Sequence, residues 1–139
     1  MKIQHLGIVV SDLDETLAAL GLDRSAVVET VHDPVQQNDL HFIYLSGNDC
    51  WLELVEPKSP TASTARFAAK FGMGLHHLGF VTDDLAHAEA LHADRVGAFT
   101  LGRYQIEVKS FGGRIRTLFI AVKGLILEYV KVDDRAIAG

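Results

Sequence analysis

The sequence predicts an α+β fold built from two tandem βαβββ modules. Three observations carry that expectation. The phrase "IQHLGIVVSDL" at residues 3–13 returns as "LHHLGFVTDDL" at residues 75–85. Each phrase leads into apolar residues at helical spacing. Each half then continues with three runs rich in aromatic and β-branched residues.

The elements follow in order. A shift of 72 positions lays His5 on His77, Gly7 on Gly79 and Asp12 on Asp84. Each phrase reads as a strand followed by a helix of about three turns. Ser11 or Asp12 is the candidate cap of the first helix, and Thr82 or Asp83 of the second. Gly21 and Gly97 are the helix stops. Three strands follow in the first half, over 26–31, 39–46 and 50–56, with a turn at Gly47-Asn48-Asp49. Three follow in the second, over 102–110, 114–122 and 125–132, with turns at Gly112-Gly113 and Lys123-Gly124. The first module thus covers residues 1–56 and the second 75–132, within one domain. The Pro/Ser/Thr-rich stretch 57–74 is a linker, with a short helix from about Ser63 to Phe71.

Composition narrows the function. Of 139 residues, 48% are hydrophobic and 22% charged, as in ordinary globular proteins. A net charge of -5 disfavours a nucleic-acid partner, which calls for a basic face. No apolar run approaches the roughly 20 residues that span a bilayer. The first residues lack the basic and apolar regions of a secretion signal. Cytoplasmic location is the expectation. The one cysteine, Cys50, rules out an internal disulfide and reads as a small core residue.

Strand alternation selects candidate site residues. Ile3, His5, Gly7 and Val9 share one face of the first strand. His77, the repeat mate of His5, points away from its neighbour His76. Glu53 stands between Leu52 and Leu54, and Glu128 between Leu127 and Tyr129, with the apolar neighbours facing the helices. A carboxylate amid large hydrophobes needs a partner. Two imidazoles and two carboxylates suit a borderline divalent metal ion. A salt bridge is the alternative, and Arg103, Lys109, Arg114 and Arg116 are cations on offer. Of the other histidines, His76 reads as structural and His41 as exposed or cavity-lining. His32 is a weak candidate proton shuttle, and His87 and His92 read as solvated.

The phrases "HLGIVVSDLDET", "LELVEP", "HHLGFVTDDL" and "LILEYV" resemble the vicinal oxygen chelate superfamily. Within it they are most similar to methylmalonyl-CoA epimerases and glyoxalase I-like proteins. The resemblance covers about residues 3 to 131. It implies that the paired modules form one curved eight-stranded mixed sheet around a cavity. It implies metal ligands at His5, Glu53, His77 and Glu128, holding one divalent ion such as Co, Ni, Mn or Zn. It further implies that Glu128 doubles as the catalytic base. Trp51, the Arg114/Arg116 pair on one strand face and Gln36 are the candidate contacts for a substrate with adjacent oxygens; Trp51 reads equally as a core aromatic and the arginines equally as solvated or salt-bridged. The family is also expected to form homodimers, which agrees with the free edges of such a sheet.

Two departures qualify the resemblance. Epimerases have a catalytic glutamate in the loop before the third strand, where "DPVQQND" places Gln36. Glutamine takes no proton at neutral pH, so Asp33, Asp39 or His32 would have to replace it. The hairpin "AVKGLI" is also shorter than in epimerases. The leading expectation is a metal-dependent epimerase or isomerase moving a proton α to a carbonyl. A lactoylglutathione lyase of the glyoxalase I kind, a carbon-sulfur lyase, is the alternative. A dioxygenase or a non-catalytic binding protein of the same superfamily is the further one.

Overall fold

A computed structural model describes residues 1–133. Among these are eight strands and three α-helices. The described residues divide into two compact units, one of Gln4–His77 and one of Met1–Ile3 with residues 78–133.

In the first unit, β1 (Lys2–Val10) leads to α1 (Leu13–Ala19), then β2 (Glu29–Asp33), β3 (Asn38–Leu45), β4 (Cys50–Pro57) and α2 (Ala65–Phe71). The strand order is β2-β3-β4-β1. The β2–β3 and β3–β4 pairs are antiparallel, and β1 runs parallel to β4. Asp12, not Ser11, caps α1 by accepting the Glu15 N–H at 2.9 Å. The helix has seven residues, shorter than the expected three turns. It lays Leu13 and Leu17 onto Val10, Ile43, Leu52 and Leu54. Each such leucine contributes about 1.5–3 kcal/mol by leaving water. The strand expected at 26–31 begins later, because Asp23 caps a 3₁₀ turn over Arg24–Ala26.

β5 (Met73–Val81) crosses the unit boundary after His77, and the second unit continues with α3 (Leu85–His92), β6 (Ala98–Val108), β7 (Gly113–Val122) and β8 (Leu125–Val132). The order is β5-β8-β7-β6, again with the first and last strands parallel. The cap of α3 is Asp84, the repeat mate of Asp12, rather than Thr82 or Asp83. Its carboxylate accepts the His87 N–H at 2.9 Å. Ala88 packs on Leu118, Ile120 and Tyr129. β6 starts earlier than expected and carries a bulge between Thr100 and Gly102.

The linker helix α2 begins at Ala65. Its approach is tied to the β2–β3 turn: the Ser63 N–H donates to the Gln36 carbonyl, and the Thr64 hydroxyl to Asn38 Oδ1. The boundary between the units consequently falls after the linker, between His77 and Leu78.

Candidate metal centre

Register decides which residues meet. In the parallel β1–β4 ladder, His5 pairs with Trp51, Gly7 with Glu53 and Val9 with Val55. Phe42 of β3 lies opposite Glu53 on the same face. That face is therefore lined by His5, Gly7, Trp51, Glu53 and Phe42. Leu52 and Leu54 point the other way, into the α1 core.

His5, Glu53 and His77 are brought together and are all buried, at 0%, 6% and 4% exposure. His5 Nε2 lies 3.0 Å from His77 Nε2. His77 Nε2 lies 3.5 Å from Glu53 Oε1. Gly7 makes room for this arrangement, since a β-carbon there would come 2.0 Å from the His77 ring. Ligands at right angles around an ion, each about 2.1 Å from it, stand about 3.0 Å apart. The two imidazole nitrogens match that spacing. A buried carboxylate beside two imidazoles also suits a cation. The residues present fit a divalent ion.

The residues preceding the two histidines orient them. His5 Nδ1–H donates to Gln4 Oε1 at 3.1 Å, and His76 Nδ1 meets His77 Nδ1 at 2.9 Å. Gln4 and His76 are repeat mates, like the histidines they hold. An amide oxygen only accepts, so the His5 proton sits on Nδ1 and its Nε2 lone pair is turned to His77. With neutral rings, His77 Nε2–H then donates to His5, and His76 Nδ1–H donates to His77. To ligate, His77 must move its proton to Nδ1 and donate to His76 instead. His76, read from the sequence as structural, holds its neighbour His77 in the site. The 72-residue repeat that matched the histidines also matched Gln4 with His76.

Glu128 belongs to the second unit. It is buried at 5% exposure and lies in register with Gly79, just as Glu53 does with Gly7. Its β7 neighbour is Phe119.

The remaining expected site residues divide. Trp51 is half-buried on the His5 face and packs against Tyr44 with ring centroids 4.9 Å apart. Arg114 and Arg116 stand on the face opposite Glu128. Phe119 is opposite Glu128, so Leu118, Arg116 and Arg114 face the α3 side. Arg116 pairs with Asp133 at 2.7 Å and adjoins Glu89 and Arg103 in a cavity of about 440 Å³. Gln36 donates to Asp33 through Nε2 and accepts from the Ser63 hydroxyl through Oε1.

The stand-ins for a second base are each engaged in other contacts. Asp33 is buried and accepts N–H groups from Val35 and Gln36 as a turn residue. Asp39 and His32 pair with each other at 2.8 Å on the α1 side of the sheet. His41 is buried between Thr30 and Glu56 and lines a cavity, one of its two expected placements. One other expectation is corrected. His92 is not simply solvated, because its Nε2 meets the Tyr129 hydroxyl at 2.7 Å. No helix among the described residues is long and apolar enough to cross a membrane.

With this geometry in place, comparison with known proteins gives the class. Residues 4–112 match the family model of the Glyoxalase/Bleomycin resistance protein/Dioxygenase superfamily. The chain belongs to that superfamily. Its fold resembles a Streptomyces coelicolor methylmalonyl-CoA epimerase variant in complex with 2-nitronate-propionyl-CoA, at 27% identity and a TM-score of 0.74. That match covers 94% of this chain and 96% of the other. It also resembles a methylmalonyl-CoA epimerase in complex with methylmalonyl-CoA and NH4+, at 26% identity and the same TM-score, over 96% and 95% of the two chains. A hypothetical protein from Bacillus halodurans C-125 shares the fold at 20% identity and a TM-score of 0.74, over 97% and 96%. The α+β class and the eight-stranded mixed sheet expected from the sequence are those of this superfamily fold. The curated proteins contain no match.

Proposed function

We propose that this protein is a divalent-metal-dependent enzyme that moves a proton α to a carbonyl, in the manner of a methylmalonyl-CoA epimerase. The observation that carries the reading is the buried set of His5, Glu53 and His77. The likeness to epimerase structures at 26–27% identity supports it.

In this reading His5, Glu53 and His77 hold the metal and Glu128 is the fourth ligand. Co, Ni, Mn and Zn all suit such a donor set. The ion supplies Lewis acidity toward a substrate with two adjacent oxygens, worth several kcal/mol in the transition state. Gln4 and His76 keep the two imidazoles aimed. Trp51 and Phe42 keep water from the reacting carbon. Glu128 takes the α-proton, an effect of roughly 10²–10⁴-fold for general base catalysis.

Gln36 favours a second reading. It takes no proton at neutral pH, and its amide is engaged by Asp33 and Ser63. Epimerisation needs a second group that delivers a proton to the opposite side. A proton shift that removes and returns the proton on one side needs only a single carboxylate. Isomerisation of a glutathione hemithioacetal, the lactoylglutathione lyase reaction, is of that kind.

The test uses metal-loaded protein, acyl-CoA thioesters and glutathione hemithioacetals, followed by proton NMR in heavy water. Exchange with inversion of an acyl-CoA establishes the epimerase. Conversion of the hemithioacetal establishes the second reading. Failure to exchange any α-proton with metal bound sinks both. Assembly as a homodimer belongs to the same proposal. β2 and β6 are outer strands, and Phe99 and Leu101 of β6 are exposed. Light scattering at micromolar concentration tests it, and a monomer overturns it.

A further inference from the structure

The face of the first unit turned toward α1 carries a second set of ligand-type side chains. Asp39 and His41 of β3 and Glu56 of β4 offer atoms that all lie within 4.8 Å of one another. Register places them together: Asp39 pairs with Glu56, and His41 with Leu54. Both pairs face away from Glu53, whose partner is Phe42. This set is thus separated from His5, Glu53 and His77 by the thickness of the sheet.

We infer that Asp39, His41 and Glu56 form a second divalent-cation site, selective for a zinc-like borderline ion. Four observations support it. First, His41 Nε2 lies 3.2 Å from Glu56 Oε1. Two ligands of one tetrahedral zinc ion, each about 2.0–2.1 Å from it, lie about 3.3 Å apart. Second, His41 has an orienting partner. Its Nδ1 meets the Thr30 hydroxyl at 2.9 Å, which can take the Nδ1 proton and leave Nε2 as a lone pair. Third, His41 is 6% exposed, so its direction is held by packing. Its two carboxylate neighbours are half-buried and border an open cavity of about 520 Å³ by which an ion enters.

The fourth observation is charge. Arg24 lines the cavity but is paired with Asp14 at 2.7 Å. Lys58 is the cation nearest the carboxylates, and its Nζ stands 4.0 Å from Asp39 and 3.9 Å from Glu56. These are long contacts for an ammonium ion, and the side chain is 46% exposed. Two carboxylates against one loosely held lysine leave a net negative charge. Lys58 acts as a tethered, weak competitor, and a divalent ion displaces it into water. His32, bound through Nδ1 to Asp39 Oδ1, orients that carboxylate. An ion held by β3 and β4 clamps two strands of this unit to each other.

Calorimetric titration with Zn²⁺, on the intact chain, tests the site. Glu56→Gln is expected to bind one zinc ion fewer than the parent, whatever the parent's total. Counting the difference separates this site from the His5 centre, which the substitution leaves untouched. Lys58→Gln is expected to bind that ion roughly tenfold more tightly, because it removes a unit positive charge about 4 Å away. Imidazole nitrogen NMR supplies a direct readout: zinc should shift His41 Nε2. If Glu56→Gln fails to fold, Asp39→Asn replaces it in the same count. Equal zinc stoichiometry in parent and variant overturns the inference. So does unchanged affinity in Lys58→Gln, or a His41 Nε2 resonance that zinc leaves in place.

Discussion

The α-carbon of Gly7 lies against the imidazole of His77, so close that a β-carbon would sit 2.0 Å from Cε1 and 2.3 Å from Nδ1. Gly7 is there for space, and Glu53 is its register partner on β4. The glycine in "HLG" therefore belongs to the candidate metal centre as much as the histidine does.

Gly7→Ala is expected to force the His77 ring aside. Overpacking of this kind costs about 1–3 kcal/mol of stability. Metal affinity should fall at least tenfold. Denaturant unfolding and metal analysis read the two effects, and Gly47→Ala, at a position with nothing within 4 Å, is the control. Equal metal affinity in Gly7→Ala and parent would show that His77 is not a ligand.

Gln4→Leu removes the acceptor that holds His5 Nδ1–H, and His76→Phe removes the partner of His77 Nδ1. Loss of such an orienting hydrogen bond lowers metal affinity by about 10–100-fold. Each variant should show this loss with its secondary structure unchanged by circular dichroism. His76→Gln should recover part of it, since an amide oxygen can accept from His77.

Glu128→Gln keeps a ligating oxygen but no proton acceptor. We expect modestly weaker metal binding and near abolition of α-proton exchange into heavy water. Gln36→Glu should, if anything, raise epimerase-type exchange. Equal exchange rates in Glu128→Gln and parent, with metal bound, would remove Glu128 from the base role.

Burial raises the Tyr129 phenol above its ordinary value of 10.0. Its neutral form is the one the folded chain favours. The stabilisation is full below pH 10, where the unfolded phenol is also protonated, and is lost as pH rises through the higher folded value. Urea unfolding at stepped alkaline pH should show stability declining above about pH 10. Tyr129→Phe should flatten that decline.

Much of the His5–Glu53–His77 cluster was legible in the sequence because its signals are local. Strand alternation put His5 with Gly7, and the 72-residue repeat picked His77 over His76. What escaped depended on pairing between strands. His41 read as exposed or cavity-lining, without its partner Glu56, because nothing near it in sequence shows that β4 sets Glu56 two positions beyond its own partner, Leu54. The arginines were misplaced for a different reason. The two-residue turn at Lys123-Gly124 sets Val122 opposite Leu125, and counting back puts Phe119 opposite Glu128. That signal was present in the hairpin and leaves Arg114 and Arg116 on the other face. The helix cap at Asp84 was likewise available from its alignment with Asp12. The late start of β2 was harder, since it turns on a short 3₁₀ segment capped by Asp23.

The parallel pairing of β1 with β4 also sets a timetable. Antiparallel β2–β3 and β3–β4 join through short turns and can zip in about 1–10 μs, as hairpins do. β1 reaches β4 only after the chain has closed a loop through α1 and both hairpins, which is a slower, non-local step. His5 and Glu53 become neighbours at that step and not before. An ion that needs both of them recognises the finished sheet and ignores its precursors. Metal should therefore slow unfolding while leaving the refolding rate where it was. In stopped-flow chevrons only the unfolding arm should move.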